Sequence, residues 1–356
     1  MQAEKHAGRN PSIIGIGLLA LDLLVQEASE DVIATAGGTC GNVMTIMASL
    51  GWRASPLARI SADAAGVAVA KDLKYWNVDL RYIRLGSEAP TPIIVERLRK
   101  DPAGIPFHSF SFSCPWCGTR LPGYQAVTAL SLAPVLSEVI NSDVLFIDRP
   151  SRAALDLAKA ATAAGMIVVF EPSSGRNEGN FTKILEYTHI LKYSQDRVAN
   201  AGDMGWGKQM LLEVETLGRG GLRFRKQGGR APTTWHYLQA NRPEKFLDSC
   251  GSGDWTTAGI LHDLCGHGLG HLRNVPMKKI VEGLSFAQRL GSWNCEFSGA
   301  RGGMYKLARS SYSAAIKRLR TSKSVVLPLD EKQRIPHASR EAQLCMACDQ
   351  SVRRRA

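Results

Sequence analysis

The chain has 356 residues, 44% of them hydrophobic, and a formal net charge of +12. That length supports one large α/β core or two domains, and the hydrophobic share excludes a disordered or collagen-like chain. No run reaches the ~18 consecutive apolar residues of a membrane span. The first apolar stretch lacks a basic leader and a cleavage site, so a cytoplasmic protein without a membrane partner is expected.

In chain order, residues 13–25 read as extended, with Asp22 toward the end of that run. A helix is predicted over 42–50, stopped by Gly51, then a strand over 54–60 and a helix over 64–75. Alternation predicts strands over 91–99 and 107–112, and a short buried strand over 144–147. An Ala-rich helix over 152–164 follows, then strands over 167–170, 189–193 and 211–217. Helices dominate 254–265 and 277–294. Pro328, Pro336 and polar neighbours mark a boundary, leaving a main domain over 1–325 and an extension over 326–356.

Strands separated by such helices favour parallel βαβ units, an α/β fold with helices on both faces of the sheet. Ligands in such folds sit beyond the carboxyl ends of the strands. The charge is uneven: 13 Lys/Arg against 4 Asp/Glu fall in 301–356, three quarters of the net charge. Solvated helix faces or contact with an anion both account for it. No nucleic-acid module is recognisable, so such a partner is not expected.

The sharpest local signal is Asp248-Ser249-Cys250-Gly251-Ser252-Gly253-Asp254-Trp255-Thr256-Thr257-Ala258-Gly259. A small-residue loop running into a helix lets several amides converge on one anion. Glycines permit close approach of a phosphate. Asp254 either caps the helix or accepts a proton from an incoming hydroxyl; both readings fit the segment alone.

Asp248–Gly259 and Ala36-Gly37-Gly38-Thr39-Cys40-Gly41-Asn42 resemble the two signatures of the ribokinase-like PfkB carbohydrate kinases. The resemblance spans about residues 13–319 and implies a mostly parallel central sheet plus a small β lid within about 13–35 and 90–125. It implies ATP and Mg²⁺ as cofactors, Asp254 as general base, and Gly251, Ser252 and Gly253 as an anion hole. Asp22, Gly38, Thr39 and Asn42 would bind a sugar or nucleoside, and the lid would pair two subunits. Thr216, Gly218 and Gly221 resemble a nucleotide-phosphate segment, although a tight turn explains them equally. Asn294 and Gly299 resemble a small-residue loop near the adenine. The absence of GxxxxGK[ST] excludes a P-loop kinase. One departure stands out. Where the family carries Asn-x-x-Glu, this chain has Ser194-Gln195-Asp196-Arg197. A weak or inactive binding protein on the same scaffold therefore stays open.

Four of the eight cysteines form two CxxC pairs, Cys114/Cys117 and Cys345/Cys348. Together they make the four thiolates a structural Zn²⁺ requires. Their wide separation means the fold or a subunit contact must unite them. A redox dithiol and unligated thiols are the alternatives, and a zinc-dependent nucleic-acid binder is the rival that such a site would favour.

Overall fold

Runs that are apolar at every position build the middle of a sheet covered on both faces. The structure, a computed structural model, describes residues 9–26, 32–85, 89–173, 179–198, 206–228, 231–322, 325, 336–338, 344–345 and 348. The first half holds β1 (Ser12–Ile16), β2 (Ala20–Gln26), β3 (Val32–Gly37), α1 (Thr39–Ser49), β4 (Arg53–Ile60) and α2 (Ala64–Tyr75). Then come β5 (Ile83–Leu85), β6 (Ile93–Lys100), β7 (Pro106–Ser111), α3 (Ala129–Leu132) and α4 (Leu136–Val139). The second half continues with β8 (Val144–Ile147), α5 (Arg152–Ala163), β9 (Ile167–Phe170), α6 (Phe181–Leu185), β10 (Ile190–Ser194) and β11 (Leu212–Thr216). A hairpin region follows, β12 (Leu222–Gly228), β13 (Ala231–Pro232) and β14 (His236–Leu238). The remainder is α7 (Ser252–Leu264), α8 (Gly268–Asn274), α9 (Met277–Asn294), α10 (Gly302–Lys306), α11 (Arg309–Leu319) and β15 (His337–Ala338).

The main sheet runs β13-β12-β11-β10-β9-β8-β1-β4-β5, with β14 paired to β12. From β11 to β5 every neighbouring pair is parallel, and β12 turns antiparallel to β11. Side chains alternate between faces along each strand. Val144 and Phe146 therefore join one core with α1, α7 and α9, while Leu145 and Ile147 join a second with α5 and α6. A smaller sheet, β15-β3-β2-β6-β7, stands apart as the lid. Its β7 edge leaves Ile105, Phe107, Phe110 and Phe112 nearby and exposed.

The reading of 13–25 as one strand is corrected. Gly17, Leu18 and Leu19 separate β1 from β2, and Leu18 donates its amide to Asp148 Oδ1 at 2.9 Å. A Cβ on Gly17 would lie 1.4 Å from that same oxygen, so the chain can leave the sheet here only as glycine. Asp22 thus lies inside a lid strand. Helix α1 begins at Thr39 rather than 42, because Gly38 at φ +74 serves as its N-cap. Side-chain caps start three other helices: Asp63 accepts from Gly66 at 2.8 Å, Thr128 from Ser131 at 3.1 Å and Ser151 from Ala154 at 3.1 Å.

Helices α7 and α9 pack closely enough that a Cβ on Gly259 would lie 2.6 Å from Ala287 Cα. Neither backbone can yield without disturbing the helix that carries Asp254. Gly259→Val is expected to lower stability by about 1–3 kcal/mol, read from the urea midpoint. An unchanged midpoint would contradict this packing.

Candidate active site

The loop before α7 is held from below by Asp248, which is fully buried. Its Oδ1 accepts from the Cys250 amide at 2.9 Å and its Oδ2 from the Gly299 amide at 2.8 Å. His108 of β7 reaches the same carboxylate at 3.1 Å, and Glu96 of β6 lies beside it. Burial and then the Asp248 charge hold Glu96 well above the usual carboxylate range. Gly251 follows at φ +71, and a Cβ there would meet the Ala300 carbonyl at 2.2 Å. The left-handed turn and this contact both require glycine.

The first α7 hydrogen bond runs from the Trp255 amide to the Gly251 carbonyl at 2.9 Å. Among the described residues, no carbonyl takes the amides of Gly251, Gly253 or Asp254. Ser252, expected in the same donor set, instead gives its amide to the Ser249 carbonyl at 3.2 Å. The free donors are therefore Gly251, Gly253 and Asp254, at the positive end of a 13-residue helix.

Asp254 stands among these amides, partly accessible to solvent. Asn42 of α1 donates its Nδ2 to Asp254 Oδ2 at 2.8 Å. The orientation of that amide is fixed, since Asn42 Oδ1 accepts from Arg301 Nε at 3.0 Å. Arg301 is itself buried, with Nη2 held by Asp72 at 3.0 Å and by the Ala36 carbonyl. Burial first, then the negative charge of Glu171, raises the Asp254 pKa to about 7, against the opposing pull of Asn42, Lys192 and Arg197.

Glu171 and Lys192 were missed by the sequence reading. Glu171 directly follows β9, and Lys192 lies within β10; both are buried. Lys192 Nζ donates to Glu171 Oε1 and to the Gly253 carbonyl, the latter at 3.2 Å. Thr257, one turn into α7, donates its hydroxyl to Glu171 Oε2. A lone charge inside Ile-Leu-Lys-Tyr and another closing Ile-Val-Val-Phe-Glu were the available signals.

On the lid side, Asp22 Oδ2 accepts the Gly38 amide at 3.2 Å, while its buried Oδ1 has no partner among the described residues. Burial raises its pKa to about 6, partly offset by Gly38 and Arg301. Asp22, Thr35, Glu96, Arg301 and Lys306 line one pocket. Thr39 opens α1 directly after Gly38.

On the other side, Thr216 ends β11 alongside Ser194. Gly218 at φ +54 and Gly221 at φ +99 form the following turn, closed by Leu217 N–H to the Gly221 carbonyl at 2.8 Å. Asn294, wholly buried at the end of α9, donates to the Cys250 carbonyl at 3.0 Å. Asn294 and Gly299 thus both grip the loop before α7. Ser194 and Arg197 follow at the carboxyl end of β10, with Arg197 exposed yet close enough to lower the Asp254 pKa. The four cysteines of the two CxxC pairs come together elsewhere, at the lid.

No family model matches the chain, and no curated protein matches it in sequence. Solved structures do resemble it in shape. A ribokinase from Giardia lamblia aligns with TM-score 0.66 at 17% identity, covering 87% of this chain and 99% of its own. A fructokinase with bound ATP from Xylella fastidiosa gives 0.65 at 20% identity, covering 81% and 93%. Arabidopsis thaliana ribokinase complexed with ribose and ATP gives 0.63 at 18% identity, covering 88% and 100%. The fold of this chain is the ribokinase-like, PfkB-type α/β fold. Among the described residues no helix is long and apolar enough to cross a membrane.

The raised Asp254 pKa has a thermodynamic signature. Between 3.8 and about 7 the folded state keeps a proton that the unfolded chain has released. This group's contribution is therefore most favourable below 3.8 and declines as pH climbs toward 7. Melting temperatures at pH 5 and pH 8 should accordingly diverge more in the wild type than in Asp254→Asn. Equal differences in the two proteins would exclude the assigned shift.

Proposed function

We propose that the protein is an ATP-dependent kinase that phosphorylates a hydroxyl of a sugar or nucleoside. The observation that carries this is a carboxylate titrating near 7 set beside the unpaired Gly253 and Asp254 amides at the start of α7. A general base works best when its pKa lies near the working pH. Amides aimed at one point stabilise the charge that develops on a transferring phosphoryl group. Both sit where the parallel strands end, the usual ligand edge of such sheets. The structural likeness to kinases with bound ATP supports the same reading.

In this mechanism Asp22, Gly38 and Asn42 orient the acceptor over α7. Asp254 takes the hydroxyl proton as that oxygen bonds to the γ-phosphorus. The bond from phosphorus to the β–γ bridging oxygen breaks, and its electron pair leaves with ADP. The phosphoryl oxygens face the Gly251, Gly253 and Asp254 amides, with the Lys192 ammonium below them. Thr216, Gly218 and Gly221 flank the nucleotide. Mg²⁺ would neutralise triphosphate charge, held chiefly by phosphate oxygens and its own waters, since both Glu171 oxygens are taken by Lys192 and Thr257 and Asp254 serves as the base.

Asp254→Asn should reduce phosphoryl transfer by about 10²–10⁴ while sparing acceptor binding. ATP consumption across a panel of sugars and nucleosides, with binding followed by calorimetry, checks both halves. Wild-type turnover in that variant would refute the assignment. If the wild type bound ligands yet transferred to none, a binding protein on this scaffold would be indicated instead.

Arg197 offers a second, milder probe because it is exposed and lowers the Asp254 pKa from a distance. Removing its charge with Arg197→Gln should move the acidic limb of the kcat/KM profile to higher pH, with melting unchanged. A limb that stays put, or moves down, argues against Asp254 as the titrating base.

A further inference from the structure

Two segments far apart in sequence bring four thiols to one point at the lid. Cys114 Sγ lies 3.8 Å from Cys348 Sγ, and Cys117 Sγ lies 3.6 Å from Cys345 Sγ. All four sulfurs are within 4.8 Å of one another. Sulfurs ~2.3 Å from a tetrahedral Zn²⁺ stand about 3.8 Å apart, close to the spacing seen here. A disulfide needs about 2.05 Å, far shorter than either pair. We propose that Cys114, Cys117, Cys345 and Cys348 form a tetrathiolate zinc centre that fastens the C-terminal segment to the lid.

The first pair is already shaped as a metal knuckle. Gly118 at φ +76 turns the chain back, its amide donating to the Cys114 carbonyl at 3.0 Å, while the Cys114 amide donates to the Thr119 carbonyl at 2.8 Å. The amides of Trp116 and Cys117 point at the Cys114 sulfur, and the amide and hydroxyl of Thr119 at the Cys117 sulfur. Hydrogen bonds to the ligating atoms are what hold and tune a thiolate site. Cys114, Cys345 and Cys348 are buried within the lid's apolar core, where Leu121 and Leu344 pack around them. Four thiolates in such surroundings require a cation, and soft sulfur ligands select zinc over hard ions.

The centre has a mechanical consequence. Residues 337 and 338 form β15, which pairs with β3 at Ile33 and Val32. The Pro336 carbonyl takes the Ala34 amide at 2.9 Å. Strand β3 then runs directly into Gly37 and Gly38. A two-residue strand holds weakly on its own. Metal ligation by Cys345 and Cys348, just beyond β15, keeps that strand against the lid edge.

The test uses the full chain, purified from medium supplemented with both zinc and iron. Elemental analysis should find about one zinc per chain and no stoichiometric iron. Cys114→Ser/Cys117→Ser and Cys345→Ser/Cys348→Ser should each reduce bound zinc to below about a tenth of that. Where a variant fails to fold, the wild type treated with a zinc chelator provides the second measurement. Zinc release should then speed hydrogen exchange at Ala34 at least tenfold while β8 amides stay protected. An iron-containing chromophore, a zinc-free protein with four reactive thiols, or zinc retained without Cys345 and Cys348 would each overturn the proposal. So would zinc loss that leaves Ala34 exchange unchanged, for the fastening of the tail.

Discussion

Asp254 and Glu171 draw on one ammonium group, and the site depends on that unequal sharing. Lys192 donates to Glu171 and to the Gly253 carbonyl, not to Asp254. A buried carboxylate and ammonium tolerate desolvation only with close pairing and further hydrogen bonds, which Thr257 and Gly253 supply. Glu171 is anchored by this pairing, and its field falls on Asp254. That field and burial together lift Asp254 toward neutrality, leaving it ready to take a proton. Register matters greatly here. Lys192 must face the α7 side of the sheet, and a slip of one residue would turn it to the other face.

A second chain of contacts ties the lid-side pocket to Asp254. Tyr305 and Arg301 both meet Asp72 of α2, at 2.8 and 3.0 Å. Arg301 orients Asn42, and Asn42 holds Asp254. The arginine is fully inside, so its orientation is dictated by four oxygen and ring partners rather than by solvent. Segments near 36–42, 72 and 301–305 thereby become one rigid wall. Because the loop holding Gly299 also bonds Asp248, movement at the lid-side pocket reaches the α7 amides through short, direct links.

Much of the scaffold was legible because periodicity reports burial. Helices α2 and α9 and strands β8 and β9 match the sequence reading residue for residue. The hairpin region β12–β14 was not foreseen, since Leu-Arg-Phe-Arg-Lys-Gln-Gly looks like a solvated segment. In the structure Arg223 and Arg225 pair with Glu215 and Glu213 of β11, and both stack on Trp235. Cross-strand charge pairs stabilise a strand that hydrophobicity alone does not reveal. The signature around Asp254 was visible as a small-residue loop entering a helix. Its partners were not, because Glu171, Lys192 and Arg301 carry single charges whose meaning appears only when the strands are laid side by side.

Arg197, at the point where the resembled family carries the Glu of Asn-x-x-Glu, bears on the same electrostatics. With Asp254 and Glu171 already at the mouth of α7, a further carboxylate after β10 would push Asp254 higher still. A guanidinium does the reverse, and its field on Asp254 is favourable. At an exposed position it costs little to desolvate. The segment after β10 thus tempers the field at Asp254 while, among the described residues, the Gly251, Gly253 and Asp254 amides stay free of carbonyl partners.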